Sequence, residues 1–194
     1  MRLILASASP QRRQLLTVLG LQFEVAPTHV DELNDGDPAE VVLENARRKA
    51  HAAARAGALV IGCDTDVAVD GRLLGKPGDE GEAERFLGIL SGRQHEVLSG
   101  LVILGPREGE ERSAVASSAV AFRDVPEPER DRYIASGEWR GRAGGYAVQG
   151  LGATLIDAVH GDISNVIGLP IGALLGLAPE LAPGPPQQTF RPRL

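Results

Sequence analysis

The chain has 194 residues and a formal net charge of −6, and 43% of its residues are hydrophobic. This length and composition fit one domain with a substantial core, whereas the negative charge argues against a nucleic-acid-binding module or a partner of anionic membranes. One cysteine excludes an internal disulfide framework, and no run of about 18 apolar residues is present to span a membrane. We expect a single cytoplasmic domain over residues 1–182 and a disordered, Pro-rich tail over 183–194.

The N-terminal stretch predicts a strand, a tight turn and the start of a helix. Residues 3–6 form a short apolar run typical of a buried strand. Ser9 followed by Pro10 predicts a helix start, because the serine oxygen accepts a free amide hydrogen and proline has none to lose. The helix N-terminus, the hydroxyls of Ser7 and Ser9 and the Arg12 guanidinium together suit a phosphate. An ordinary capped helix with solvated arginines is the alternative.

A second helix is predicted over residues 37–55, after a strand at 22–26 and an acidic loop at 27–36. Its apolar face carries one lysine, Lys49. The lysine stem could snorkel over the edge of the core. Alternatively, its ammonium is aimed into a cleft, where it would meet a phosphate.

A buried strand over residues 58–63 is predicted to end at the Asp-Thr-Asp sequence 64–66. Carboxylates just past the carboxyl end of a central strand hold the common position of active-site groups in open α/β sheets. Asp66 is either a metal contact or a solvated acid at the strand end. A hairpin with an Asp-Gly turn at 70–71 would then return Lys76 close to Asp64 and place an acid and a base at one site. A surface Lys-Pro turn is the alternative for Lys76.

The rest of the chain predicts a helix at 80–90, paired antiparallel strands at 95–104 and 113–122, a helix at 126–135, a strand at 153–158, a loop at 163–169 and a helix at 170–177. We interpret the glycine-dense stretch 137–152 as a functional loop approached closely by a ligand or other backbone, with a packing role as the alternative. Cys63, His95 and Tyr133 are interpreted as structural. The histidines lack the spacing of a zinc site, so carboxylates would have to hold any metal.

Five short motifs follow one another along the chain, namely LASASPQRRQLL, GCDTDVAVDGRLLGKP, LSGRQHEVLSG, RAGGYAVQGLGA and NVIGLPI. In this order they resemble the signatures of the Maf family of nucleoside triphosphate pyrophosphatases, over about residues 2–175. The resemblance implies an α/β fold related to the inosine-triphosphate pyrophosphatases, often found as a homodimer. The fold that the resemblance implies has a mixed, strongly bent central sheet with flanking helices and two lobes around a cleft.

The resemblance also implies an activity, the hydrolysis of a nucleoside triphosphate between its α and β phosphates with a divalent metal, Mg²⁺ or Mn²⁺. At the matching positions, Asp64 would be the general base, and Glu32 would join it as a metal ligand. The triphosphate would be bound by Ser7, Ser9, Arg12, Lys49 and Lys76.

The family resemblance further assigns base preference to three positions, here Gln11, Thr65 and Gln149. Thr65 and Gln149 match a dTTP- and UTP-directed group, whereas Gln11 matches neither that group nor a 7-methyl-GTP-directed one. The resemblance therefore favours a housecleaning pyrophosphatase acting on dTTP and UTP, with modified pyrimidine nucleotides, 7-methyl-GTP or a broader range as alternatives. A nucleotide-responsive regulator of septum placement with incidental hydrolysis is the alternative from another functional class.

Overall fold

The computed structural model describes residues 2–183, so the tail predicted for 183–194 lies outside the described residues apart from Pro183. The strands are β1 (Arg2–Leu5), β2 (Glu24–Val25), β3 (Ala58–Val69), β4 (Arg72–Leu73), β5 (Gln94–Leu104), β6 (Glu111–Phe122) and β7 (Ile156–His160). The α-helices are α1 (Pro10–Val18), α2 (Pro38–Ala52), α3 (Glu80–Leu90), α4 (Glu127–Ala135), α5 (Ile163–Ile167) and α6 (Ile171–Leu177). Across residues 2–183, none of the helices has the length and apolar character needed to cross a membrane.

The strands form one mixed, open sheet in the order β2-β1-β3-β5-β6-β7, with β4 also paired to β3. Strand β1 runs parallel to β2 and β3, and the remaining pairs are antiparallel. Buried apolar side chains form one large cluster around Leu87 and Phe122 and another around Leu5, Ile61 and Leu101. The predicted α/β fold with a mixed central sheet and flanking helices is confirmed.

Strand β3 changes neighbours along one of its edges. Residues 58–61 pair with β1, and Ala68 and Val69 pair with β4. Among residues 2–183, no strand pairs with the intervening residues on this edge, while the opposite edge pairs with β5 from Val60 to Ala68. The gap exposes the middle of β3 to a cleft.

The predicted end of this strand at residue 63 is wrong. Asp64 and Asp66 lie within a continuous strand that runs to Val69, because β5 pairs with it from Val60 to Ala68. Asp64 therefore reaches the cleft through the missing β-partner on one edge and not through the end of the strand.

Helix α2 packs closely on the sheet because two strand residues facing it are glycines. A Cβ added at Gly62 would lie 2.3 Å from the Ala46 carbonyl oxygen, and one at Gly100 would lie 2.1 Å from that of Val42. The predicted apolar face of α2, which includes Val42, Ala46 and Ala50, is fully buried. This close contact sets the depth at which the polar side chains of α2 enter the cleft.

Several predicted boundaries differ from the observed ones. The strand expected at 22–26 is reduced to Glu24–Val25, and that expected at 153–158 is found at Ile156–His160, where β6 provides the partner. The segment 163–169, predicted as a loop, contains helix α5. Its five residues are capped by the Asp162 side chain, which accepts from Ser164 N, and they end at a glycine with a φ of 130°.

Replacing Gly100 by alanine should force α2 away from the sheet and lower the free energy of unfolding by about 3 kcal/mol. Gly88 is the matched control, since a Cβ there meets no atom within 4 Å and the residue lies in helix α3. Gly88→Ala should stabilise the protein by roughly 0.5–1 kcal/mol through its helix propensity. Urea unfolding of both variants measures the difference, and equal effects would contradict the tight contact.

Candidate active site

A cleft of about 410 Å³ opens beside the unpaired segment of β3. The structure brings all ten predicted site residues to its lining, although they come from segments far apart in the sequence. They are Ser7, Ser9, Gln11, Arg12, Glu32, Lys49, Asp64, Thr65, Lys76 and Gln149. Their roles in binding and catalysis stay predictions, but their assembly at one place is a structural finding.

The N-terminus of α1 forms one wall of the cleft. Ser9 caps the helix as predicted, because its Oγ accepts a hydrogen bond from Arg12 N at 3.4 Å, and Pro10 opens the first turn. The same hydroxyl donates to Gln11 Oε1 at 3.0 Å. Ser7 Oγ in turn accepts from Ser9 N at 3.2 Å. Hydroxyl groups and a helix N-terminus therefore face the cleft together, which is the arrangement that favours an anion.

The Arg12 guanidinium is buried and holds three segments together. Its Nε donates to the Gly168 carbonyl at 2.8 Å, its Nη1 to Ser7 Oγ at 3.0 Å, and its Nη2 to Thr65 Oγ1 at 3.1 Å. All three acceptors are uncharged, and guanidinium has five N–H donors, so positive charge and donor capacity remain available. The Thr65 hydroxyl also lies 2.7 Å from Ser99 Oγ, which fixes its place.

The anomalous lysine of α2 is part of a buried ion-pair cluster. Lys49 Nζ lies 2.6 Å from Asp64 Oδ1 and 2.8 Å from Glu32 Oε1. The Lys49 side chain is only 9% exposed, so its ammonium points into the cleft lining and does not snorkel to the outer surface. Glu32 is 42% exposed and stands at the mouth of the cluster.

Asp64 is ionised despite its burial. Burial alone would raise its pKa, but the Lys49 ammonium, the more distant Arg12 and a hydrogen bond from Asn45 together hold the pKa below its usual value. The carboxylate is therefore available at neutral pH to accept a proton or to hold a cation.

Asn45, one turn before Lys49 on α2, was not among the predicted site residues. Its Nδ2 donates to Asp64 Oδ2 at 3.1 Å and to the Leu33 carbonyl at 3.0 Å, and its Oδ1 accepts from Leu33 N at 2.8 Å. The sequence contained a signal, since residues four apart share one helix face and Asn45 is the second polar residue on the apolar face.

Lys76 reaches the cleft through the predicted hairpin. Asp70 and Gly71 adopt φ values of 52° and 72°, as the two-residue turn between β3 and β4 requires. Asp66 holds the returning chain, because its Oδ1 accepts from Val67 N at 2.7 Å and from Gly75 N at 3.0 Å. Burial raises the pKa of Asp66 to about 6. This carboxylate thus binds backbone amides beside the site and does not line the cleft.

The glycine-dense loop forms the opposite wall and rests on a layer of aromatic side chains. Tyr146 OH lies 2.8 Å from His95 Nε2, and both rings pack edge-to-face with Phe122. Tyr133 OH accepts from Ala147 N at 3.3 Å. These contacts agree with the structural interpretation of His95 and Tyr133, and they fix the loop that presents Gln149.

Two further groups of the cleft were missed by the sequence reasoning. Arg142 stands just before the paired glycines of the loop and lines the cleft. The Gly168 carbonyl accepts from Arg12 and so completes the wall formed by α1. A basic residue flanking a glycine-dense motif was a readable signal for Arg142, whereas the backbone of Gly168 gave none.

A metal would have to rely on very few protein ligands. Over residues 2–183, no group of three or more histidine, cysteine, aspartate or glutamate side chains is placed to hold an ion. Glu32 and Asp64, joined through Lys49, are the carboxylates that line the cleft. Two carboxylates suit a magnesium-type ion that takes its remaining ligands from water and substrate phosphates.

Comparison with known proteins gives a consistent set of relatives. The family model described as Maf-like protein matches residues 2–181. A dTTP/UTP pyrophosphatase of Syntrophus aciditrophicus is 47% identical over 178 residues, which cover 90% of this chain and 87% of the relative. Those of Thermococcus gammatolerans and Dictyoglomus thermophilum are 44% and 41% identical, over 87% and 92% of this chain and 91% and 95% of the relatives. The matched residues include the whole cleft.

Arg12→Lys should lower the free energy of unfolding by about 1–3 kcal/mol. The donors of an ammonium all lie on one nitrogen and cannot reach the acceptors that the guanidinium contacts through three nitrogens, so buried groups lose their partners. Arg13→Lys is the control, since Arg13 is exposed and its side chain makes no hydrogen bond within residues 2–183. Urea unfolding of both variants is the measurement. An Arg12→Lys protein as stable as the control would contradict the role of Arg12 in holding the three segments together.

The aromatic layer should make stability depend on pH. Burial lowers the pKa of His95 to about 4, whereas an unfolded histidine titrates near 6.5. The unfolded chain therefore binds the extra proton first, and this contribution to stability is lost as the pH falls from about 6.5 through about 4. His95→Gln should show a shallower loss than the parent in urea unfolding across this range. His160→Gln, at an exposed histidine, should keep the parent's slope.

Proposed function

We propose that this chain, which belongs to the Maf family, hydrolyses dTTP and UTP to the monophosphate and pyrophosphate. The observation that carries the proposal is the ionised Asp64 carboxylate, held in one cleft with the cations Arg12, Lys49 and Lys76. The name shared by the relatives supplies the substrate class. The cellular role would be to remove or balance nucleotides in the pool.

The triphosphate would lie between the two walls of the cleft. On one wall, the first amides of α1, the hydroxyls of Ser7 and Ser9 and the remaining N–H groups of Arg12 would bind phosphate oxygens. Lys76 would add positive charge from the other wall. The chain as a whole carries a net charge of −6 and does not attract a tetra-anionic substrate. Binding must therefore come from the cations that lie in the cleft.

Asp64 would act as the general base. A water molecule positioned by its carboxylate attacks phosphorus of the α–β anhydride, the anhydride P–O bond breaks, and pyrophosphate leaves. The proton lost by the water passes to Asp64, whose ionised state at neutral pH permits this. Lys49, 2.6 Å from Asp64 Oδ1, would keep the carboxylate charged between turnovers.

The donor set suits a divalent cation, Mg²⁺ or Mn²⁺, held by Glu32 and Asp64. Both supply hard oxygen ligands, and the two carboxylates share a single Lys49 ammonium, which compensates only part of their negative charge. When bound, such an ion would offset the negative charge on the phosphate oxygens. We further propose, from the family resemblance, that the enzyme is a cytoplasmic homodimer.

The base would be read by amide side chains on both walls. Gln11 lies on the wall formed by α1, and Gln149 lies on the opposite loop. A carboxamide offers both a donor and an acceptor, which can pair with the polar edge of uracil or thymine. Thr65 would act through its fixed position between Arg12 and Ser99.

The first test is pyrophosphate release from dTTP, UTP, CTP, GTP, ITP and 7-methyl-GTP with Mg²⁺ or Mn²⁺. We expect dTTP and UTP to be the best substrates. Asp64→Asn should lower kcat by roughly 100-fold or more, because the amide cannot accept the proton. Asp157→Asn, at an exposed acid of β7, is the charge-matched control and should keep the parental kcat.

Two outcomes would count against the proposal in different ways. Preference for 7-methyl-GTP or another purine nucleotide would overturn the roles given to Thr65 and Gln149 but leave the catalytic assignment. Absence of turnover with every nucleotide and both metals would overturn the enzymatic function itself.

A further inference from the structure

The loop that carries Glu32 has no regular secondary structure, yet it must stand at a fixed distance from Asp64. Apolar burial does not hold it, since Leu33 is 38% exposed although it is a large hydrophobic residue. Arg48 Nη1 donates to the Asp31 carbonyl at 2.7 Å, but this contact lies on the exposed side. On the inner side, Lys49 Nζ contacts the Glu32 side chain at 2.8 Å, and Asn45 binds the backbone of the loop.

The Asn45 carboxamide, which is 2% exposed, uses every hydrogen-bonding group it has. Its Oδ1 and one Nδ2 hydrogen bind the N–H and C=O of Leu33, much as one strand residue binds another. Its second Nδ2 hydrogen is donated to Asp64 Oδ2. Among uncharged side chains, a carboxamide is the type that offers two donors and an acceptor in one plane.

Asp64 is thereby held at both carboxylate oxygens from the same helix. Lys49 Nζ contacts Oδ1 at 2.6 Å, and Asn45 Nδ2 contacts Oδ2 at 3.1 Å. Rotation of the carboxylate would break at least one of these bonds. The two contacts therefore set the plane of the proposed base before any substrate arrives.

We propose that Asn45 is a positioning residue for the reaction. It fixes the plane of the Asp64 carboxylate and seats the loop that brings Glu32 to it. Lys49 supplies charge to this cluster, whereas Asn45 supplies orientation at no charge. This inference rests on the proposed function, because a fixed base and a seated carboxylate have a purpose only where Asp64 acts on a substrate.

Two variants of Asn45 separate orientation from bulk. Asn45→Leu keeps a similar volume and removes all three hydrogen bonds. Asn45→Asp keeps the shape and the acceptor toward Leu33 N, but it loses both donors and places a second carboxylate against Asp64. The matched control is Val42→Ala on the same helix, because Val42 is fully buried, packs against apolar residues and does not line the cleft.

Both Asn45 variants should lower kcat for UTP by about 30-fold and change KM by less than about threefold, since outer partners of a reacting group commonly contribute 10–100-fold. Val42→Ala should lose comparable stability in urea but keep kcat within about twofold. In hydrogen-exchange mass spectrometry without metal or nucleotide, amides of residues 28–36 should exchange faster in both Asn45 variants than in Val42→Ala. This second readout does not depend on turnover.

The outcomes are distinct. An active parent whose Asn45 variants keep kcat within about twofold would overturn the positioning role and leave the proposed function intact. If Val42→Ala lost kcat to the same extent, the effect would be due to general destabilisation, and the positioning role would be overturned as well. If residues 28–36 exchanged at the parental rate in both Asn45 variants, the claim that Asn45 holds the loop in place would be overturned. A parent without any pyrophosphate release would overturn the proposed function and this inference together.

Discussion

The site depends on compensating one buried negative charge. A carboxylate withdrawn from water is stable only where cations and hydrogen-bond donors replace its hydration, and Asp64 receives both from helix α2. This requires the helix to lie against the strand with almost no space between them. Gly62 and Gly100 make that approach possible, so two residues without side chains determine how far Lys49 and Asn45 reach. The packing of α2 on the sheet therefore determines both the fold and the positions of the groups around Asp64.

Local chemistry made part of this structure predictable from the sequence. The Ser9-Pro10 helix start and the Asp70-Gly71 turn depend on neighbouring residues alone, and both were correctly placed. The ten predicted site residues, chosen largely through the family resemblance, also meet in one cleft. A cap or a turn is encoded within a few residues. An ordered set of family motifs indicates, in addition, which distant residues share one site.

The parts that sequence reasoning missed are those decided by distant partners. Strand β3 continues past residue 63 because β5 pairs with it, and the identity of residues 64–66 does not indicate that pairing. Helix α5 is only five residues long, too short for a periodic pattern to reveal. The position of Asn45 on the apolar face of α2 was readable, but its partners Leu33 and Asp64 come from other segments of the chain. In each case the decisive interaction joins segments that the sequence separates.

The bond from Arg12 Nε to the Gly168 carbonyl links residues 156 positions apart. During synthesis on a ribosome, the first helix therefore emerges long before its acceptor exists. The wall of the cleft that α1 forms can be completed only after α5 has left the exit tunnel. Such a long loop closure is entropically costly and tends to occur late in folding. A nascent chain should thus complete this wall of the cleft only after Gly168 has emerged, and a chain terminated before Gly168 would lack the bond.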